Sequence, residues 1–312
     1  MTLNHLVALL TAMSLNANPT PNAIPVRLKP APVIATTAGR ELPRVPVKKR
    51  KDSLGIETTA KSALVVDVGS GSVLFAKNAN VERPIASLTK LITAMVVLDQ
   101  GLKGDEKIAI EAGDIEREGR PTLEAGDSMT RKEAFRALLV ESVNELANAF
   151  ARTSPGGRAA FVEAMRAKAA TLGLAKATFL DPTGINPRDR ASAKDVAIMI
   201  RSALAYPEIR ELGGAKAYDL KVSNQASAGG VRTIKVKPTN NLVTSYLNAK
   251  PYSIVAAKTG SLPEAGFNLA QVTKSPGGQQ VIVVILGSGN HFARFQEVKG
   301  LTQWAFNTYE WR

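Results

Sequence analysis

Pro84-Ile-Ala-Ser-Leu-Thr-Lys90-Leu-Ile-Thr-Ala-Met-Val-Val-Leu98 is a proline-led and almost uncharged stretch, typical of a buried helix. Ser87 and Lys90 are three residues apart, so on a helix the lysine amine reaches the serine hydroxyl. Because the neighbouring residues are apolar, burial should lower the pKa of Lys90 toward that of a general base. The partial positive charge of the helix N-terminus favours an alkoxide at Ser87. The stretch therefore indicates an activated serine nucleophile.

The same two residues have a simpler interpretation. Ser87 could cap the helix, and Lys90 could extend its amine to solvent. A Ser-x-x-Lys match is expected about once by chance in a chain of this length. The distinction between the two interpretations depends on the rest of the chain.

Composition excludes several kinds of chemistry. The chain has 312 residues, of which 45% are hydrophobic and 21% charged, as in globular proteins. It has no cysteine, so disulfides, cysteine-zinc sites and thiol catalysis are excluded. A Ser-His-Asp triad could use only His291, since the other histidine, His5, lies in a leader-like segment. The sequence has no Gly-x-Ser-x-Gly motif, which would supply the serine of such a triad.

The net charge of +13 is concentrated near the N-terminus. Residues 1–51 contain eight Lys or Arg residues and the single acid Glu41. Such a basic segment favours acidic wall polymers, anionic lipid headgroups or nucleic acid, and it is equally consistent with a solvated linker. Specific nucleic-acid binding is not expected, because aromatic residues make up only 5% and no recognition motif is present.

The chain divides into three predicted regions. Residues 1–17 form a signal-like segment, although no Lys or Arg precedes its apolar core, so either the start is not the natural one or the segment is not a signal. Residues 18–55 form a proline-rich basic linker that is expected to be disordered or extended. Residues 56–312 form the catalytic domain.

Within that domain the pattern predicts an α+β fold. Residues 62–68 and 72–76 indicate a hairpin, and residues 252–259, 266–273 and 279–287 indicate three further strands. Helices are predicted at 157–172, 193–205, 292–309 and 130–153, the last with a local break near 141–144. The hairpin and the C-terminal strands could form one antiparallel sheet flanked by the helices.

Two further motifs follow the Ser87 stretch. Lys258-Thr259-Gly260 ends the predicted strand from Tyr252, where a lysine, a hydroxyl and a small residue could bind a carboxylate and admit substrate backbone. The alternative is an ordinary turn. Ser142-Val143-Asn144 is a weaker match, but it is the Ser-x-Asn sequence that lies between the other two motifs.

In this order the three motifs resemble the signature of the penicillin-interacting serine enzymes. From about Thr58 the chain looks like a low-molecular-mass penicillin-binding protein of the D-alanyl-D-alanine carboxypeptidase and endopeptidase family. Segments 179–185, 193–199 and 258–266 support the resemblance, which is strongest to the short, endopeptidase-like branch. The resemblance implies a β-lactamase/DD-peptidase-like fold. The extra β-domain and amphipathic anchor of longer members have no counterpart here, so stable membrane anchoring is not expected.

The resemblance implies roles for the reacting residues. Ser87 attacks the carbonyl between two D-alanines or at a related cross-link, Lys90 accepts its proton, and an acyl-enzyme forms. Ser142 and Lys90 relay the proton to the leaving amine. Backbone N–H groups of Ser87 and Ser261 hold the oxyanion.

It also implies the substrate contacts. Asn144 binds a substrate amide, Lys258 and Thr259 hold a substrate carboxylate, and the charge of Lys258 helps to keep Lys90 neutral. Gly260 completes this substrate-binding set. The family usually has a small residue where this chain has Val143, which is expected to tune substrate fit.

The implied setting is extracytoplasmic. Peptidoglycan stem peptides are the expected substrates, β-lactam antibiotics are expected acylating inhibitors, and no metal or organic cofactor is needed. One alternative is a β-lactamase, although residues 170–186 supply no Glu-x-x-x-Asn arrangement to activate a deacylating water. Another is a non-catalytic wall-binding scaffold, which would have no reason to retain Ser87, Lys90 and Lys258 together.

Overall fold

One antiparallel sheet joins the N-terminal hairpin to the three C-terminal strands. The computed structural model describes residues 44–116, 121–226 and 229–312. From one edge to the other, its strands are Ser253–Leu262, Gly266–Lys274, Gln280–Ser288, Ser62–Asp67 and Val73–Lys77, so the predicted α+β architecture is confirmed. The strands, in chain order, are β1 (Pro46–Lys48), β2 (Ser62–Asp67), β3 (Val73–Lys77), β4 (Arg83–Pro84), β5 (Lys107–Ala109), β6 (Ser128–Thr130), β7 (Arg190–Ala191), β8 (Tyr218–Ser223), β9 (Val231–Val236), β10 (Ser253–Leu262), β11 (Gly266–Lys274), β12 (Gln280–Ser288) and β13 (Tyr309–Trp311).

Helices cover both faces of this sheet. In chain order they are α1 (Lys90–Asp99), α2 (Arg131–Val140), α3 (Asn144–Arg152), α4 (Gly157–Thr171), α5 (Ala193–Ala203), α6 (Pro207–Glu211) and α7 (Ala293–Thr308). Short 3-10 helices lie at Ala86–Thr89, Ala112–Asp114, Asn241–Thr244 and Tyr246–Asn248. Every helix and strand predicted within residues 56–312 has a counterpart, with ends that shift by a few residues.

Alternating side chains of the central strands build two cores. On β12, Ile282, Val284 and Leu286 pack with α1 and the other helices on one face. Their neighbours Val283 and Ile285 pack with α7 on the opposite face. Because successive side chains point to opposite faces of a strand, a continuous apolar run such as β12 is buried on both sides.

The Ser87 stretch begins as a 3-10 turn rather than as an α-helix. Ala86 has φ +49°, and the α-helix starts only at Lys90. From Lys90 to Val97 every residue of α1 is buried, which confirms the prediction of a buried central helix. In a 3-10 turn, side chains three residues apart eclipse, so this geometry brings Ser87 and Lys90 together directly.

The break predicted near residues 141–144 separates α2 from α3. Thr130 and Glu133 form the predicted capping box at the start of α2, and that helix ends at Val140. Ser142 then adopts φ +67°, a left-handed conformation that no α-helix contains. The break therefore directs the Ser142 side chain away from the helix and leaves Asn144 in the first turn of α3.

At its C-terminal end, the segment predicted to be a disordered or extended linker contains a short extended strand, β1, whose pairing was not predicted. Pro46–Lys48 pairs in antiparallel register with Tyr309–Trp311 at the other end of the chain. A three-residue strand is too short to show periodicity, and its partner is remote in sequence. The signal-like segment 1–17 and the linker up to residue 43 lie outside the described residues.

A second, smaller sheet was not predicted. Its strand order is β5-β6-β8-β9, and it lies beside the helices rather than in the main sheet. β8, Tyr218-Asp-Leu-Lys-Val-Ser223, alternates apolar and polar residues, and this strand signal was missed, whereas the alternation of β9, Val231-Arg-Thr-Ile-Lys-Val236, is less regular. This hairpin leads directly into Thr239, which reaches the site described next.

Candidate active site

Lys90 connects Ser87 to two other parts of the chain. Its Nζ donates to Ser87 Oγ at 3.1 Å, to Asn144 Oδ1 at 2.6 Å and to the carbonyl oxygen of Thr183 at 2.8 Å. The lysine is fully buried, so it does not extend to solvent. Ser87 makes no capping hydrogen bond with its side chain. The geometry favours a chemical role for the pair over the simpler interpretation.

Burial controls the protonation of Lys90. Desolvation lowers its pKa to about 7, and the carboxylates of Asp181, Glu145 and Glu116 oppose that shift. The amine can therefore lose its proton near neutral pH. It is then both close enough to Ser87 Oγ and basic enough to accept a proton from it.

A second lysine–serine pair lies opposite the first. Lys258 Nζ donates to Ser142 Oγ at 2.7 Å and to the carbonyl oxygen of Thr259 at 3.0 Å. Burial lowers the pKa of Lys258 well below its usual value, and the charges of Lys90 and Arg294 lower it further. Since charge repulsion is mutual, Lys258 and Lys90 each favour the neutral form of the other.

The Lys-Thr-Gly sequence lies inside β10 rather than at its end, and two of its side chains are buried rather than exposed. β10 is an edge strand that continues to Leu262, and Lys258 and Thr259 are 1% and 4% exposed. Thr259 Oγ1 donates to Thr239 Oγ1 at 2.6 Å. The free edge of the strand faces the Ser87 turn.

Glycine is required at residue 260, where β10 comes close to the Ser87 turn. A Cβ there would lie 2.8 Å from the carbonyl oxygen of Ile85 and 3.0 Å from the backbone nitrogen of Ser87. Only a residue without a side chain lets β10 run this close to the Ser87 turn. Ser261 follows directly on the strand, so its backbone lies beside the same turn.

A cleft of about 390 Å³ collects the predicted side chains. Ser87, Ser142, Asn144, Thr259, Gly260 and Ser261 all line it, whereas Lys90 and Lys258 lie beneath its floor. The structure thus brings three distant sequence motifs to one place. The sequence pointed to them through the order in which the three motifs occur and the family resemblance that this order carries.

Sequence reasoning missed the basic residues of the opposite wall. Arg294, at the start of α7, lines the cleft and is 4% exposed. Its Nη1 donates to the carbonyl oxygens of Gly260 and Asn268, each at 3.3 Å, and its Nη2 lies 3.2 Å from Nδ1 of His291. Within the described residues no carboxylate pairs with this guanidinium, and burial lowers its pKa to about 10.

No local motif could have identified Arg294. Its role depends on how the N-terminal end of α7 packs against β10 and β11. His291 also lines the cleft, but it contacts Arg294 rather than a serine, so a Ser-His-Asp triad is absent from the described residues.

The loop after α4 supports Lys90 from the other side. Asp181 accepts hydrogen bonds from the backbone nitrogens of Thr183, Gly184 and Asn186 at 2.6, 2.7 and 2.9 Å. Burial raises the pKa of this carboxyl, but these bonds more than offset it, so the net shift is downward. This loop therefore aims the Thr183 carbonyl at Lys90 and brings Gly184 into contact with the backbone of Ala86.

Two further features bear on metal and membrane chemistry. In the parts of the chain that the structure describes, no three His, Asp or Glu side chains converge as a metal site. Across residues 44–116, 121–226 and 229–312, no helix combines the length and the apolar character needed to cross a bilayer.

A family model and a similar protein of known activity point to the same family. The family model described as D-alanyl-D-alanine carboxypeptidase matches residues 47–290. A D-alanyl-D-alanine endopeptidase of Pseudomonas aeruginosa is 32% identical over 253 residues, which cover 80% of this chain and 77% of that protein.

Solved structures are similar over most of the chain. The Streptomyces K15 DD-transpeptidase superposes with a TM-score of 0.74 at 27% identity, covering 82% of this chain and 100% of that one. Penicillin-binding protein D2 of Listeria monocytogenes in its cefotaxime-bound form gives a TM-score of 0.68 at 25% identity, covering 81% and 100%.

Proposed function

Since this chain belongs to the D-alanyl-D-alanine carboxypeptidase family of serine peptidases, we propose that Ser87 is its nucleophile and Lys90 the base that activates it. The chain is a penicillin-binding DD-peptidase, a hydrolase that works through an acyl-enzyme. The observation that carries the assignment of roles is the buried amine of Lys90, which lies 3.1 Å from Ser87 Oγ.

The acylation step follows from this geometry. Neutral Lys90 takes the proton of Ser87 Oγ as that oxygen bonds to the substrate carbonyl carbon. The backbone N–H groups of Ser87 and Ser261 stabilise the developing oxyanion, because β10 runs against the nucleophile turn at Gly260. Two such donors in a site that excludes water lower the barrier by several kcal/mol, on the order of 3 for each.

The leaving amine then needs a proton. Ser142 Oγ, held by Lys258 at 2.7 Å, lines the same cleft as Ser87, so we propose that this hydroxyl passes the proton taken up by Lys90 to the leaving amine. Asn144 accepts from Lys90 in the free enzyme and, through the same carboxamide, contacts the substrate amide. Water attacks the acyl-enzyme and releases the product.

The cleft has the charge needed for a substrate carboxylate. Thr259 and Arg294 line it, the amine of Lys258 lies beneath its floor, and no protein carboxylate in the described residues neutralises the guanidinium of Arg294. A D-amino acid on the leaving side of the scissile bond carries a carboxylate that these donors can bind. Both terminal D-alanine and a cross-linked diamino acid meet this requirement.

We propose cross-links between stem peptides as the preferred substrate, because the relative with 32% identity is named an endopeptidase. Such a substrate places the protein outside the cytoplasm, where peptidoglycan is found. Digestion of purified sacculi distinguishes the two cuts, since cross-link cleavage converts dimeric muropeptides to monomers and carboxypeptidase action releases free D-alanine.

The nucleophile is tested with a labelled penicillin on the wild-type protein and on Ser87→Ala. We expect wild type to hold a covalent label for many minutes on a denaturing gel and the variant to take none. Label that disappears within seconds would point to a β-lactamase. The absence of label in both proteins would contradict the catalytic assignment and favour a wall-binding scaffold.

A further inference from the structure

We propose that residues 45–54 form a docking surface for an anionic phospholipid bilayer, placed so that the catalytic cleft faces away from the membrane. We name this stretch the basic face. It extends the earlier prediction of an anionic partner for the basic N-terminal segment, and it does not depend on the proposed catalytic roles.

The basic face is strongly cationic. Lys48, Lys49, Arg50 and Lys51 are consecutive, Arg44 precedes them, and Asp52 is the only acid among them. All of these cations are exposed except Lys48, which is half-buried. None of them forms an ion pair within the described residues. Their charge is therefore available to an external partner.

Exposed apolar side chains lie among these cations. Leu54 is 88% exposed, Val45 is 52% exposed and Val47 is 41% exposed. Val45 and Val47 are two residues apart at the β1 strand, so they point to the same face. A run of cations flanked by exposed aliphatic side chains is typical of surfaces that bind anionic headgroups and insert into the acyl boundary.

The exposure of Leu54 is enforced by its neighbours. Ser53 Oγ accepts a hydrogen bond from Trp304 Nε1 of α7 at 2.7 Å. On the other side Gly55, with φ +121°, packs so tightly on the ring of Phe75 that a Cβ would collide with it. The pairing of β1 with β13 fixes the residues before the turn. Leu54 is thus held outward between two anchored neighbours and cannot fold into the core.

The same contacts fix where the basic face lies relative to the catalytic cleft. Residues 49 to 59 run along α7 in the reverse direction: the backbone nitrogen of Lys49 bonds the carbonyl of Thr308, and the hydroxyl of Thr59 bonds Glu297. Arg294, at the other end of α7, lines the catalytic cleft. Fourteen residues of helix separate Thr308 from Arg294, a rise of about 20 Å. A bilayer on the basic face would leave the cleft open to polymer on the far side.

Charge alone would suit any polyanion, including wall polymers and nucleic acid. The exposed Leu54, Val45 and Val47 discriminate between these partners, because a hydrated polyanion offers nothing apolar for them to contact. The observations therefore favour a bilayer. A contribution of Leu54 to binding distinguishes a bilayer from wall polymers and nucleic acid.

The test uses the full chain in co-sedimentation with large unilamellar vesicles of phosphatidylglycerol and phosphatidylethanolamine. We expect the wild-type protein to bind these vesicles and not vesicles of phosphatidylcholine. Replacing Lys49, Arg50 and Lys51 by Ala should weaken binding about a hundredfold. Leu54→Ser should weaken it about tenfold, since one aliphatic side chain no longer leaves water.

Matched controls show whether weaker vesicle binding comes from the basic face itself or only from a lower net charge or a loss of folding. Lys107→Ala, Lys176→Ala and Lys194→Ala together remove the same charge from exposed sites elsewhere, and Val73→Ser replaces an exposed aliphatic residue outside the basic face. Both controls should bind vesicles like wild type, and all variants should take labelled penicillin at the wild-type rate. Vesicle binding that survives loss of the three cations would overturn the proposal. So would equal binding to soluble polyglutamate or DNA that Leu54→Ser leaves unchanged.

Discussion

Gly260 lies so close to Ser87 that a Cβ on the glycine would come within 3.0 Å of the serine backbone nitrogen. The Ile85 carbonyl oxygen, at 2.8 Å, bounds the same space. A side chain at residue 260 would therefore push β10 away from the nucleophile turn. The spacing of the two proposed oxyanion donors depends on this contact.

We predict that Gly260→Ala slows acylation by a labelled penicillin by at least tenfold. Overpacking of this kind costs about 1–3 kcal/mol, and here it falls on the backbone that positions the donors. The control is Gly104→Ala, where a Cβ meets only ordinary contact at 3.4 Å from Lys132. Wild-type acylation by Gly260→Ala, in a protein that unfolds at the same denaturant concentration, would contradict the prediction.

The pH dependence of acylation should follow the titration of Lys90. Burial lowers the pKa of this amine to about 7, and only its neutral form accepts a proton from Ser87. The acylation rate should therefore be low at pH 5, rise through about pH 7 and reach a plateau above it. Measurement of the second-order rate of penicillin acylation between pH 5 and pH 9 provides the profile.

Glu145→Gln should move that profile to lower pH. The buried carboxylate of Glu145 raises the pKa of Lys90, so its loss favours the neutral amine by roughly half a pH unit. Gln keeps the oxygen that accepts from the backbone nitrogen of Thr122. Glu163→Gln, on the exposed surface of α4, is the matched control and should leave the midpoint in place. A midpoint that rises in Glu145→Gln would exclude this electrostatic role.

The site was predictable where its chemistry is local in sequence. Ser87 and Lys90 share one turn, and Lys258 and Thr259 share one strand, so each pair is visible as a short motif, and the order of the motifs along the chain made them candidates. The left-handed Ser142 was foreseen only as a helix break, because serine and asparagine disfavour a helix interior. Arg294 and Thr239 could not be foreseen, since their positions depend on packing between segments remote in the sequence. The β1–β13 pair was missed for the same reason.

Asp189 should make folding stability fall as pH rises. Burial raises the pKa of its carboxyl to about 7, the Asp181 carboxylate adds to the shift, and its Oδ2 has no hydrogen-bond partner among the described residues. Between about pH 4 and pH 7 the unfolded chain ionises this group while the folded protein keeps it protonated. That difference favours the unfolded state progressively, and the loss levels off above pH 7.

Asp189→Asn should remove this loss and retain the oxygen that accepts from the backbone nitrogen of Leu180 at 2.7 Å. We expect the variant to exceed wild type in unfolding free energy by on the order of 2 kcal/mol at pH 8. At pH 4 the two proteins should differ little. Denaturant unfolding at both pH values measures the effect, and a difference of equal size at pH 4 and pH 8 would show that ionisation is not its cause.

Arg294 should determine the preference for a substrate carboxylate. The guanidinium lines the cleft beside Gly260, and its only hydrogen-bond partners in the described residues are two carbonyl oxygens and His291. Loss of a charge-assisted hydrogen bond to a carboxylate costs about 1.5–3 kcal/mol, so Arg294→Leu should lower kcat/KM for a D-alanyl-D-alanine peptide by tenfold to a hundredfold. The same peptide with a C-terminal carboxamide cannot make that bond, and its slower turnover should change little in the variant. The ratio of the two kcat/KM values therefore isolates recognition of charge from any distortion of β10. An equal loss for both peptides would mean that Arg294 supports the strand and does not contact the substrate.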